Sequence, residues 1–149
     1  MNTSAAGNRG LWEGSVGRVP MLAAASSAAT TLLFIPILLR GPSTTEALPA
    51  FWLVAFVAAA PLTAYLLNRR LHADLGVVES LLVGLPQLPV IVLLSVAGVW
   101  LDVQRGFLLA GSGEEAMSYG IGISVSAVAG AVLLVLVAVA ARLGGIRRN

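Results

Sequence analysis

The chain holds 149 residues, 58% of them apolar and 11% charged, where a soluble domain carries roughly 45–50% and about 25%. So few charges cannot cover a water-facing globule of this size, which removes a soluble enzyme domain, a disordered tail and a nucleic-acid-binding module as default readings. The formal net charge of +2 rests on nine arginines that form no phosphate-tracking stripe, and the absence of cysteine excludes disulfides, thiol catalysis and cysteine-ligated zinc.

Residues 1–18 are polar and rich in glycine, with Leu11 and Trp12 as the only bulky apolar pair. They read as a cytoplasmic or interfacial segment in which Trp12 is either a headgroup-level anchor or part of a docking arm for a partner. Four stretches without a charged residue follow: 21 residues between Arg18 and Arg40, 22 between Glu46 and Arg69, 22 between Glu79 and Asp102, and 26 between Glu115 and Arg142. As helices, each rises roughly 30–40 Å, enough for a hydrocarbon core of about 30 Å. A spanning backbone must satisfy its own hydrogen bonds, and runs such as Val132–Val137, apolar at every position, lack the alternation of a barrel strand.

The expected fold is therefore an all-α integral membrane protein with four transmembrane helices at about 19–39, 47–68, 80–101 and 116–141. The spans form a domain over 19–141, followed by a basic tail at 142–149. The first run is too long for the h-region of a cleavable signal peptide and ends on Arg40, so it reads as a span. Short connections predict neighbouring antiparallel helices, an up-down bundle. Arg9, Arg18, Arg69, Arg70, Arg142, Arg147 and Arg148 fall on one side, against Arg40 and Arg105 on the other. The positive-inside bias then places both termini in the cytoplasm of a multi-pass cell-membrane protein. Arg69, Arg70, Arg142, Arg147 and Arg148 are the basic residues expected to face lipid headgroups there.

Within the first span, Ser26, Ser27, Thr30 and Thr31 can bond their own backbone carbonyls, so a polar pore lining is not required. Pro36 and Pro61 are expected to kink or adjust the ends of the first two helices. Leu39-Arg40-Gly41 with Glu46-Ala47 weakly echoes Gln104-Arg105-Gly106 with Glu115-Ala116, four matching residues that chance can also produce. The third span carries Gly84-Leu85-Pro86-Gln87-Leu88-Pro89. Pro86 and Pro89 each remove a backbone donor and clash with the preceding turn, so the helix must kink or open there. Gln87, between them, offers an amide to a freed carbonyl or to a neighbouring helix, as packing or as a polar site. Glu79 and Asp102 bound this span as end charges. Beyond Asp102 the longest outer connection presents Phe107, Leu108 and Leu109, which either dip into the membrane interface or pack on a partner.

In the fourth span Gly122, Ser126 and Gly130 recur every four residues, with Gly120 and Ser124 as a second small stripe. Small residues at this spacing let two helix backbones approach closely. The partner is either a helix of the same chain, with Ser26, Ser27, Thr30 and Thr31 or Ala55 and Ala59 as candidates, or a helix of another chain. No Asp, Glu, Lys, Arg or His lies inside any of the four runs, which argues against proton relays and voltage sensors.

His72, with Arg69, Arg70 and Asp74, is the sole basis for a lipid-active enzyme, and neither a nucleophile constellation nor a metal ligand set accompanies it. No catalytic residue, metal or cofactor is therefore expected. The preferred reading is a non-catalytic structural or accessory subunit packing in a homo-oligomer or larger membrane complex, its partners membrane lipids and other membrane chains. The alternative is a small oligomeric channel or facilitator using the Pro-Gln-Leu-Pro break.

Overall fold

A computed structural model describes residues 6–40 and 50–146, with side chains described for 17–39 and 51–146. Among the described residues the chain is entirely helical, with no strand: α1 (Ala6–Arg40), α2 (Ala50–Leu71), α3 (Val77–Gly84), α4 (Gln87–Gln104) and α5 (Gly113–Gly145). Four segments, Gly17–Leu39, Phe51–Leu71, Val77–Gln104 and Gly113–Gly145, are long and apolar enough to cross a membrane. The described residues thus have the architecture of a helical membrane protein, the third candidate span being assembled from α3 and α4.

Local chemistry explains the ends. At α3, the Gly76 N–H donates to Glu79 Oε2 (2.9 Å), so Glu79 satisfies an orphan donor at the helix start. At α5, Ser112 Oγ accepts from the Glu115 N–H (3.2 Å) while Glu115 Oε2 accepts from the Gly111 N–H (2.5 Å), a reciprocal cap. The end of α2 is closed by His72, whose φ of 51° puts it in the left-handed region and whose N–H donates to Asn68 O (2.8 Å). Arg105 Nη1, just past α4, donates to Leu38 O (2.8 Å), so the third span supplies a cationic cap to the last turn of the first.

Several helix ends lie beyond the bounds expected from charge spacing, most of all in the first and fourth helices. The first helix begins at Ala6, so it runs through most of the polar segment; charge gaps mark hydrocarbon, and a helix continues past it wherever backbone bonding continues. The fourth runs from Gly113 to Gly145, beyond 116–141 at both ends for the same reason. Pro20 and Pro36 sit inside α1 and Pro61 inside α2, and neither helix is interrupted at them. The first outer connection, which carries half of the weak sequence echo, and Arg147 and Arg148 lie outside the described residues.

The packing order corrects one expectation. α2 packs on α1 and α5, and α3 and α4 pack on those same two helices, whereas α2 makes no comparable contact with the third span. Helices joined by the short turn after Leu71 are therefore not neighbours. The reason is in the turn itself. Ala73 and Leu75 are buried in one apolar cluster with Leu22, Ala60, Ala64, Val83, Val137 and Ala141, and Gly145 sits on the Ala73 carbonyl. The connection passes beneath the end of α5, which stands between the two spans it joins.

Candidate functional site

Among the described residues few polar side chains are buried at membrane depth, and those of Thr30, Asn68 and Gln87 bond between helices. Gln87 opens α4 directly after the interruption at Leu85–Pro86. Pro86 and Pro89 cannot donate to the carbonyls one turn back. The backbone bonds that cross the gap are Leu85 N–H to Leu81 O (2.8 Å), Leu88 N–H to Leu85 O (3.3 Å) and Val90 N–H to Pro86 O (3.1 Å). The middle one is a tighter turn than an α-helix makes, which is how the chain passes from α3 to α4 without a loop.

Gln87 is 0% exposed, and its Oε1 accepts from Thr30 Oγ1 of α1 at 2.7 Å, with Thr30 equally buried. Its Nε2 is enclosed without a partner. Rotating the amide by 180° lets Nε2 donate to Thr30 Oγ1, whose proton then turns to Ser26 O at 3.3 Å. Oε1 becomes the bare end instead. In either arrangement one end of the amide is buried without a protein partner, and the other pins the broken span to α1. Ser26, also buried, returns its hydroxyl to Ala23 O (3.1 Å).

A second buried amide was not singled out by sequence reasoning. Asn68, 0% exposed, donates from Nδ2 to Ala73 O (3.0 Å) and to Ala141 O (2.6 Å), joining α2, the following turn and α5. It lies beside Arg69 at the edge of the second charge gap. An amide one step inside such an edge was the available signal.

Glycines set the helix distances. Gly122 faces Ser95 and Val99, and Gly130 faces the backbone of Gln87 and Leu88, so the stripe expected to meet the first or second helix meets α4 instead. A Cβ on Gly130 would stand 2.8 Å from Leu88 Cα, closer than real side chains come. Ser126, between them, turns its hydroxyl back to Gly122 O. Gly84 lies on the Leu134 carbonyl and Gly144 on Tyr65 O, approaches at which a Cα–H can donate weakly to a carbonyl. Gly120 has nothing in front of it, and Ser124 is exposed.

At the end defined by the apolar cluster, Arg18, Arg69, Arg70 and Arg142 are exposed, as are His72 and Asp74. The His72 ring is held by Nδ1–H donating to Arg70 O (3.0 Å), so it belongs to the helix terminus. Among the described residues no three His, Asp or Glu side chains approach as a metal ligand set would.

The architecture defines a class, that of all-helical membrane proteins with four segments long enough to span the bilayer. No protein family model, curated protein or solved structure matches the chain.

Proposed function

We propose that the protein is a non-catalytic polytopic subunit of the cell membrane that packs with copies of itself or within a larger membrane complex. It is an antiparallel up-down bundle with both termini in the cytoplasm. The observation that carries this reading is the use made of the interior polar groups: Gln87, Thr30 and Asn68 are sealed from solvent and spent on joining helices. Gln87 Nε2 and Asn68 Oδ1 are buried without a partner, while the other polar atoms of these three side chains bond between helices, the use that packing makes of a buried polar group.

Paired contacts support these directions: Gly122 against Ser95 with Gly130 against Leu88 for α5 opposite to α4, Leu22 clustered with Ala60 and Ala64 with Phe34 against Phe56 for α1 opposite to α2, and Thr30 on Gln87 with Arg105 on Leu38 for α1 along α4. Arg18, Arg69, Arg70 and Arg142 at one end favour that end as cytoplasmic. At most 28% of any span's apolar window is buried within the chain, which leaves broad faces for lipid and for other helices. The particle extracted in mild detergent should therefore be larger than one chain; a monomer in both detergent and native nanodiscs would sink the subunit reading.

One observation favours a channel or facilitator instead, the bare end of the Gln87 amide beside a helix break. In that case Gln87→Leu abolishes flux through reconstituted vesicles while the assembly persists; as a subunit, the variant assembles and no flux exists to lose.

A further inference from the structure

We propose that the connection between α4 and α5 is a lipid-inserted loop, with Phe107 and Leu109, flanked by Trp100 and Met117, seated in the boundary between headgroups and acyl chains. These side chains are 58%, 76%, 54% and 65% exposed, a concentration of bare apolar surface at one end of the bundle. The loop presents them from an ordered frame. Asp102 O accepts both the Phe107 N–H (2.9 Å) and the Leu108 N–H (3.4 Å), and the Ser112 N–H donates to Leu109 O (3.1 Å). Gly106 and Gly111 take positive φ values of 77° and 73°, which turn the chain at both sides of the apolar triplet.

Lipid is the occupant because this surface continues the one that already faces it. Trp100 on α4 and Met117 and Ile121 on α5 are exposed, as are Leu93 and Val125 further along the same helices, so bare apolar surface continues from the loop onto both spans. Gly122 beside Ser95 and Val99 sets Met117 level with the last turn of α4. Asp102 ends a charge-free run of 22 residues, roughly 33 Å of helix and about one hydrocarbon thickness, so the residues after it start at the interface. Arg105, Ser112, Glu114 and Glu115 supply the polar groups that belong with headgroups, and an indole beside them is the usual company at this depth.

The cysteine-free chain permits a direct test. A polarity-sensitive fluorophore on Leu109→Cys, in the full-length protein reconstituted into phosphatidylcholine and phosphatidylglycerol vesicles, should emit at shorter wavelength than on Glu114→Cys. Lipids brominated near the headgroup should quench it about twofold, with iodide having little effect. Water-like emission quenched equally by iodide at both sites overturns the proposal. So does a blue shift present in native membranes and absent from pure lipid vesicles, which assigns the loop to a protein partner. An unlabelled chain with Trp12→Phe and Trp52→Phe guards against label artefacts. Its Trp100 emission should be quenched by the same lipids, and less so after Phe107→Glu and Leu109→Glu; absence of quenching again overturns the insertion.

Discussion

Thr30 and Gln87 form one hydrogen bond, yet removing either side has different consequences. Gln87→Leu deletes an amide that is already half unpaired, and the Thr30 hydroxyl still has Ser26 O at 3.3 Å. The expected change in unfolding free energy is within about 1 kcal/mol. Thr30→Val leaves the whole buried amide without a protein partner and should cost about 1–3 kcal/mol. Steric trapping in bicelles measures both, and equal losses would contradict the asymmetry.

Asn68 gives a sharper contrast at the same scale. Its Nδ2 meets two carbonyls, so Asn68→Asp places an acceptor against acceptors and should destabilise more than Asn68→Ala, itself about 1–3 kcal/mol. Reversal of that order in the same unfolding assay would mean that the side chain acts through volume and not through donation.

At the scale of helices, the two glycine stripes of α5 behave oppositely although they look alike in sequence. Gly130→Ala drives a methyl into the Leu88 backbone and should cost about 1–3 kcal/mol. Gly120→Ala meets open space and should stabilise by up to about 1 kcal/mol through helix propensity. Thermal unfolding of the two variants in one detergent separates them. The i, i+4 spacing made Gly122, Ser126 and Gly130 legible as a packing face, but spacing carries no address: α4 was not among the partners that sequence suggested. Pro86 and Pro89 were legible as a disruption because a missing N–H acts locally. What the disruption does, beginning α4 at Gln87 so that its amide reaches α1, depends on a contact 57 positions away in the chain.

For the whole molecule, closeness in sequence misled where closeness in space was decided by burial. The turn from α2 to the third span carries Ala73 and Leu75 into the apolar cluster beneath α5. Gly145→Leu should therefore act at long range. By striking the Ala73 carbonyl and crowding Asn68, it should lower the midpoint of thermal unfolding and expose the turn to protease, without altering how many spans cross the membrane. Limited proteolysis at Arg69 and Arg70, together with a topology reporter, reads both. A turn as resistant as in the unmodified chain would show that α5 does not close it.

Membrane character, helical class and the number of spans were determined by the sequence alone, because hydrocarbon admits no unpaired backbone and charges mark its edges. These are properties of each segment taken separately. Which helices touch, which glycines face a neighbour and which face open space, and where two buried amides find partners were decided by the tertiary structure. The physical reason is the uniformity of the spans: where nearly every side chain is apolar, composition cannot distinguish an inward face from an outward one, and only close packing and a few directional hydrogen bonds between distant residues can.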